Sequence, residues 1–240
     1  MKLLIAIKGC ERDTRNGFHQ ALRETWVKDV PAGIDVKFFV GEGNAPLRPD
    51  EERIGCPDDY MSLPVKTRAI LRWMLGREYD FIFLCDTDTY VMPERLLASG
   101  FENYDLTGLF NGKIGVPRAT EGDAGPWKPA DQGNGATRYY AWISGGNGYW
   151  LSKRAVQIIV DDMAYVSDWA EDRTIGQILG PFFQNGQLRA LNHEDYGFCI
   201  DGDFYGCRIS RHFCSKGMNR SFEVAWMYNC YKRNALRMRV

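Results

Sequence analysis

The hydrophobic positions of the chain alternate between short strand-like runs and segments with helical spacing. Strand-like runs occur at residues 3–7, 35–40 and 81–84, and the last is continuously apolar, as expected of a strand covered on both faces. Apolar residues at helical spacing predict helices over residues 17–27, 63–75 and 152–160, with Ser152 as a helix N-cap. A shorter helix is predicted over residues 174–179. Strands that alternate with helices indicate an α/β protein.

The division of the chain into domains follows from its length and the lack of a clear linker. At 240 residues the chain has room for a sizeable core. A stretch rich in Gly, Pro, Asp and Asn over residues 121–138 predicts a loop, and no internal repeat is present. We therefore predict a single domain over residues 1–240.

Composition and charge exclude some classes of function. Hydrophobic residues are 45% of the chain, charged residues 25%, and the net charge is −1, so no global field points to nucleic acid or a membrane. No stretch approaches the ~20 apolar residues of a membrane span, and the apolar start is too short for a signal peptide. Seven cysteines without a CxxC pair indicate reduced thiols in a cytoplasm-like compartment.

The C-terminal stretch, residues 208–240, is locally basic. It contains eight Lys and Arg residues against one acid, Glu223. Two interpretations remain open, a solvated basic surface and a face directed at an anionic ligand.

Two carboxylates follow the continuous apolar run. Asp86 and Asp88 are two positions apart, so an extended chain presents them on one face at the end of a strand. Ligands of open α/β sheets bind at such strand ends, and hard oxygen donors there suit Mg²⁺ or Mn²⁺ together with substrate phosphates. The alternative is that both acids simply cap the strand and begin a turn. A phosphatase of the haloacid dehalogenase type is disfavoured, because Tyr90 occupies the fifth motif position, where Thr or Val is expected.

Several other segments share their order along the chain with one known family. They are residues 21–26 (ALRETW), 60–67 (YMSLPVKT), Trp73, 79–91 (YDFIFLCDTDTYV), 139–152 (YYAWISGGNGYWLS), 171–176 (EDRTIG) and 212–213 (HF). Each is weak alone, but the ordered set resembles the β-1,3-galactosyltransferase and Fringe superfamily over nearly the whole chain. The resemblance implies a GT-A fold, a Rossmann-like mixed, mostly parallel sheet flanked by helices. It also implies a UDP-sugar donor, Mn²⁺ or Mg²⁺, and inversion at the anomeric carbon.

The resemblance also implies roles for individual residues. Asp88 resembles the acid that binds the metal most directly, with Asp86 nearer the donor, and His212 resembles the family's histidine ligand. Asp172 resembles the general base. An inverting transfer needs one carboxylate to take the acceptor proton, and a helix start favours an ionised acid. The alternatives are a structural role for His212 and helix capping by Glu171 and Asp172.

Further residues are predicted to contact the donor. They are Arg23, Thr25, Lys66, Asp86, Thr87, Gly145 and Gly146. For Lys66, donor contact and helix capping remain equally open. The two glycines would allow close approach of the backbone to the donor sugar or the acceptor.

The chain departs from the family pattern in ways that bear on its function. Thr87 replaces the middle acid of the family's triplet, and Arg173 replaces an apolar residue beside the predicted base. Animal members have a membrane anchor and a stem, whereas this chain starts at its first strand, so we expect a cytoplasmic enzyme of microbial or viral origin without a membrane span.

Three functions are compatible with the sequence. The first is transfer of a hexose to a hydroxyl of a glycan or another acceptor. The second is glycosylation of a modified nucleic-acid base, for which the basic C-terminal stretch gives slight support. The third is a non-catalytic module of the same fold that binds a nucleotide sugar or glycan.

Overall fold

The structure is a computed structural model that describes residues 1–111, 129–130, 139–140, 142–162, 170–199, 209–213 and 220–237. Its helices are α1 (Glu11–Arg15), α2 (Phe18–Glu24), α3 (Leu63–Leu75), α4 (Pro93–Leu97), α5 (Lys153–Asp161), α6 (Glu171–Gln184) and α7 (Ser221–Arg237). Its strands are β1 (Leu3–Lys8), β2 (Asp35–Val40), β3 (Glu51–Arg53), β4 (Phe81–Asp86), β5 (Thr89–Val91), β6 (Leu106–Gly108), β7 (Phe110–Asn111), β8 (Pro129–Ala130), β9 (Tyr139–Tyr140), β10 (Trp142–Ile143), β11 (Tyr149–Ser152), β12 (Ala190–Asn192), β13 (Tyr196–Cys199) and β14 (Ser210–Phe213). The loop predicted over residues 121–138 lies mostly outside the described residues.

A mixed sheet forms the centre of the described structure. Its seven strands follow the order β12-β6-β11-β4-β1-β2-β3. The run β4-β1-β2-β3 is parallel, and β11 is antiparallel to both of its neighbours. A smaller sheet, β13-β14-β5, adjoins the end of β4. The α/β class and the mostly parallel sheet are confirmed, and the single domain over residues 1–240 stays a prediction.

Alternate residues of the central strands enter two different cores. On β1, Leu4 and Ala6 face the core formed with α3, α5 and α6, whereas Ile5 and Ile7 face the core formed with α2 and α7. The same alternation along β4 buries both faces of its apolar run. At about 1.5–3 kcal/mol for each fully buried large side chain, this two-sided burial fixes the register of the central strands.

The helix predictions hold best where the capping signals are local. The helix at Leu63–Leu75 has the predicted bounds, and Ser152 accepts a hydrogen bond from the Ala155 amide at 3.2 Å, as predicted for an N-cap. The helix predicted at 17–27 ends at Glu24, and a 3₁₀ turn follows at Val27–Asp29. The helix predicted at 174–179 extends over Glu171–Gln184 and contains Pro181 near its end.

None of the helices in the described part of the chain is long and apolar enough to cross a bilayer.

Candidate metal and active site

Strand pairing brings together side chains that are far apart in the sequence. In the parallel pair β1–β4, Lys8 lies opposite Asp86, and both are at the carboxyl ends of their strands. Beyond the turn at Asp88, β5 pairs with β14, so that His212 lies opposite Thr89. The backbone N–H of Phe213 donates to the carbonyl of Asp88 at 2.9 Å. The predicted metal ligands are therefore placed by two different sheets.

Asp86, Asp88 and His212 form a compact group of possible metal ligands. Each offers one ligand atom, and these atoms all lie within 4.8 Å of one another. The Oδ1 atom of Asp88 is 3.1 Å from Nε2 of His212. Gly146 makes room for the imidazole, because an added Cβ would come within 2.5 Å of the ring of His212. The approach predicted for this glycine, to the donor sugar or the acceptor, stays a prediction.

The charges of this group reinforce one another. Burial raises the pKa of Asp88, but the positive charges of His212 and Arg220 outweigh it, so the pKa lies below its ordinary value. Burial lowers the pKa of His212, and the charge of Asp88 raises it above the usual range. The positive charge of a protonated His212 and the negative charge of Asp88 therefore stabilise each other.

A buried lysine joins Asp86 to Glu171, the first residue of α6. Lys8 Nζ is 3.1 Å from Asp86 Oδ1 and donates to Glu171, which also accepts a hydrogen bond from Thr67. Tyr149 donates to Glu171 at 3.4 Å. Burial alone would lower the pKa of Lys8, but the two carboxylates raise it, so the ammonium stays charged. Lys8 therefore ties the end of β4 to the start of α6.

An arginine beside α7 occupies the other side of Asp88. Arg220 donates from Nη2 to Asp88 Oδ2 at 3.2 Å, from Nη1 to Asp13 Oδ1 at 2.9 Å and from Nε to Glu223 at 2.9 Å. Thr87 donates to the second oxygen of Asp13 at 2.7 Å and is buried. The hydroxyl of Thr87 thus holds Asp13, and the predicted donor contact of Thr87 stays a prediction.

These connected charged residues form one group, the Asp88 cluster. Its members are Lys8, Asp13, Asp86, Asp88, Glu171, His212, Arg220 and Glu223. Among the described residues, five carboxylates of the cluster face two permanent cations, Lys8 and Arg220. The cluster has a surplus of negative charge, which attracts a cation.

Asp172 lies next to this cluster at the start of α6. It accepts hydrogen bonds from the backbone N–H of Gly145 at 3.3 Å and of Arg173 at 2.8 Å. Burial raises the pKa of Asp172 above its ordinary value, although the two N–H donors oppose the shift. Gly145 thus contributes an oriented backbone donor. The carboxylate is held in place and made more basic than an exposed aspartate.

Two other predicted donor contacts have partners within the protein. Thr25 is fully buried, and its hydroxyl donates to the carbonyl of Ala21 at 2.6 Å, while its donor contact stays a prediction. Lys66 is buried too, and Nζ donates to the Gly9 carbonyl at 2.8 Å and to Asp58 at 2.7 Å. These bonds explain why both residues are buried without invoking a ligand.

Arg23 belongs to a second charged group, named here the Arg23 cluster and formed by His19, Arg23, Asp50 and Glu51. Arg23 donates to Asp50 at 2.7 and 2.8 Å and to Glu51 at 2.7 Å. Nδ1 of His19 is 3.0 Å from Glu51. These bonds engage Nε and Nη2 of Arg23 inside this cluster, and its donor contact stays a prediction.

The basic C-terminal stretch does not form one continuous charged face in its described part. Arg211 is buried and Arg220 is bound to carboxylates, whereas Lys232 and Arg233 are exposed on α7. The slight support for a nucleic-acid substrate is reduced accordingly.

Four members of the Asp88 cluster were not predicted from the sequence: Lys8, Asp13, Arg220 and Glu223. A signal for Lys8 existed, since a single charged residue ends an otherwise apolar central strand. Arg220 was counted in the basic stretch but not assigned. Its partner Asp13 is 207 positions away, and no local pattern links two such residues.

Comparison with known proteins gives two findings. Residues 19–182 match a family model described as Galactosyltransferase. The chain is also similar to a solved crystal structure, that of a glycosyltransferase involved in the glycosylation of the major capsid of PBCV-1, with a TM-score of 0.55 and 13% identity over 94% of this chain and 99% of that chain. At this identity the similarity shows the fold alone. No curated protein matches the chain.

Proposed function

The chain belongs to the galactosyltransferase family, and on that premise we propose that it is an inverting, metal-dependent hexosyltransferase. In this proposal the donor is a UDP-sugar and the acceptor is a hydroxyl of a glycan or another molecule. The observation that carries the proposal is the group of Asp86, Asp88 and His212 at the carboxyl end of β4, with Asp172 beside it. Sugar transfer from a nucleotide diphosphate needs these two parts, a cation site and a base.

The ligand atoms fit a divalent cation. Neighbouring ligands of an octahedral Mg²⁺, at about 2.0–2.1 Å from the ion, are roughly 3 Å apart, close to the separation of Asp88 Oδ1 and His212 Nε2. The buried Oδ1 atoms of Asp86 and Asp88 each face a cationic side chain at 3.1 Å, Lys8 and His212, but neither contact has hydrogen-bond geometry. Carboxylates suit Mg²⁺ and Mn²⁺ alike, and the imidazole favours the transition metal of the two. We therefore propose Mn²⁺, held by Asp86, Asp88 and His212.

The chemistry divides between the cation and the protein. When bound, the cation neutralises negative charge that grows on the diphosphate leaving group. Asp172 accepts the proton of the acceptor hydroxyl as its oxygen forms a bond to the anomeric carbon and the bond from that carbon to the diphosphate breaks. The electron pair of the broken bond leaves with UDP. The amides of Gly145 and Arg173 hold the carboxylate of Asp172 in place for this step.

A non-catalytic binding module is the remaining alternative of a different class. It would need no base, so the position of Asp172, held by the amides of Gly145 and Arg173 beside the group of Asp86, Asp88 and His212, favours the enzyme. Slow metal-dependent hydrolysis of the donor in the absence of an acceptor would exclude the module.

A thermal-shift screen tests the proposal directly. The folded protein is mixed with UDP-galactose, UDP-glucose, UDP-N-acetylglucosamine or GDP-mannose, each with Mn²⁺ or with EDTA. A ligand at about a hundred times its Kd stabilises the folded state by about 2.7 kcal/mol. One or more UDP-sugars should therefore raise Tm by several degrees in the presence of Mn²⁺ and not in EDTA. A Tm that responds to no UDP-sugar, or responds equally in EDTA, contradicts the proposed function.

A further inference from the structure

Arg220 lies beside the proposed cation site without being one of its ligands. Its guanidinium is stacked 4.6 Å from the ring centroid of Phe18 and is bonded to Asp13 and Glu223. These contacts fix the long side chain in one position, so little conformational entropy is left to lose when a ligand arrives. About a third of the side chain is exposed, which leaves it accessible from the site.

The third bond of Arg220 is the one that changes when a cation binds. Asp88 offers Oδ2 to Arg220 at 3.2 Å, and its Oδ1 faces His212. A divalent cation at Asp88 would attract the negative carboxylate and at the same time repel the positive guanidinium of Arg220. The bond between Nη2 and Asp88 therefore weakens when the site is loaded. A nearby anion would compensate the charges of the cation and of Arg220, and it would give Nη2 a new hydrogen-bond acceptor.

A diphosphate is the anion that fits this position. A cation held by carboxylates in a site of this kind completes its coordination with phosphate oxygens, which places those oxygens close to Asp88. Arginine binds phosphate through directed, charge-assisted hydrogen bonds. We propose that Arg220 binds the diphosphate of the donor, and that Nη2 exchanges Asp88 for a phosphate oxygen when the cation is bound. This rests on the proposed function, and it assigns to Arg220 stabilisation of the leaving group.

The test compares a ligand with phosphates to one without them. Binding of UDP and of uridine at saturating Mn²⁺ is measured by calorimetry and NMR titration for the wild type, Arg220→Met and Arg220→Lys. Loss of a charged hydrogen bond should weaken UDP binding about 10- to 100-fold in Arg220→Met and less in Arg220→Lys, which keeps the charge. Uridine binding should be unchanged in both variants.

A matched control separates ligand binding from folding. Arg68→Met removes a half-buried arginine whose bonds to the carbonyls of Val160 and Asp162 lie away from the Asp88 cluster, and it should leave UDP affinity unchanged. The inference is overturned if Arg220→Met binds UDP as the wild type does. It is also overturned if the affinities for UDP and uridine fall equally. Tighter Mn²⁺ binding as the only effect of Arg220→Met would overturn it too, because that result is expected if Arg220 merely blocks the cation site. If wild-type protein shows no Mn²⁺-dependent UDP binding, the proposed function itself fails.

Discussion

The Arg23 cluster and the Asp88 cluster use the same kinds of residue but differ in how many of their carboxylate oxygens accept hydrogen bonds. In the Arg23 cluster both oxygens of Asp50 and both oxygens of Glu51 accept hydrogen bonds. In the Asp88 cluster the buried Oδ1 atoms of Asp86 and Asp88 lie 3.1 Å from Lys8 Nζ and His212 Nε2, in ion pairs that lack hydrogen-bond geometry. Nε2 of the buried His19 has no hydrogen-bond partner among the described residues, so the contrast between the clusters concerns their carboxylates. Carboxylates whose oxygens all accept hydrogen bonds stabilise the fold, whereas carboxylate oxygens without them, beside surplus negative charge, are available to a cation. The comparison therefore separates a structural cluster from a functional one.

The largest effect is expected at the base that lies next to the Asp88 cluster. Asp172→Asn should lower kcat by about 10²- to 10⁴-fold, because general-base catalysis typically contributes that much, while Mn²⁺-dependent UDP binding is retained. Since burial raises the pKa of Asp172, kcat/KM of the wild type should fall on the acid side with an inflection above the ordinary value of about 3.9. Steady-state kinetics from pH 4 to 8 measure both effects. Asp161→Asn, an exposed acid of α5, is the control, and a near-normal rate for Asp172→Asn would remove this residue from the mechanism.

The next effect compares one carboxylate from each cluster. Asp88→Ala should weaken Mn²⁺ binding on the order of a hundredfold or more, because even the loss of an outer-shell partner costs about 10- to 100-fold. Asp50→Ala should leave Mn²⁺ binding unchanged and lower the free energy of unfolding, because Arg23 loses a partner. Calorimetric titration with Mn²⁺ and urea denaturation measure the two quantities. If Asp50→Ala impaired Mn²⁺ binding as strongly as Asp88→Ala, the distinction between the clusters would be wrong.

Acid should weaken the Arg23 cluster in a defined pH range. Burial alone would raise the pKa of Glu51, but hydrogen bonds from Arg23 and His19 lower it to about 2. Because the folded pKa is below the unfolded value of about 4.3, Glu51 stabilises the protein fully at neutral pH, by about 3 kcal/mol, and this is lost as the pH falls from about 4.5 to 2. Glu51→Gln should be less stable at pH 7 and less sensitive to acid in that range. Urea denaturation at pH 7 and pH 3 that showed the same pH dependence in both proteins would contradict the assignment.

The smallest expected effect concerns ligand binding at Arg23. Arg23→Met should change UDP affinity by less than about twofold, or about 0.4 kcal/mol, because its donors serve Asp50 and Glu51. Titration of UDP at saturating Mn²⁺ measures this. A tenfold loss of affinity, with the fold intact by circular dichroism, would support the donor contact predicted from the sequence.

Local patterns in the sequence predicted the frame of the site well. The alternation and length of the apolar runs placed Asp86 and Asp88 at the end of a buried strand, and the resemblance added His212, which the structure brings beside them. The assignment of Mn²⁺ and of a UDP-sugar stays a prediction. Within the helices, capping chemistry such as that of Ser152 was a sufficient guide because it acts over three residues.

Contacts between distant segments could not be predicted in the same way. The apolar run that predicted the first strand ends at residue 7, whereas the strand itself includes Lys8. The role of Lys8 depends on Glu171 of α6, which lies far away in the sequence. Thr25 and Thr87 looked like pocket residues from their motifs, but burial gives their hydroxyls protein acceptors. Which of several polar residues faces a ligand is decided by tertiary packing, and the spacing of residues along one segment does not contain that information.

The pairing of Arg220 with Asp13 spans 207 positions of the chain, and it has a consequence for biosynthesis. During translation the two aspartates at the end of β4 leave the ribosome long before the imidazole on β14 and the guanidinium beside α7. A nascent chain therefore carries Asp88 without its two positively charged partners, His212 and Arg220, until β14 and the start of α7 have emerged. Sugar transfer of the kind proposed here can begin only after these two segments have been made.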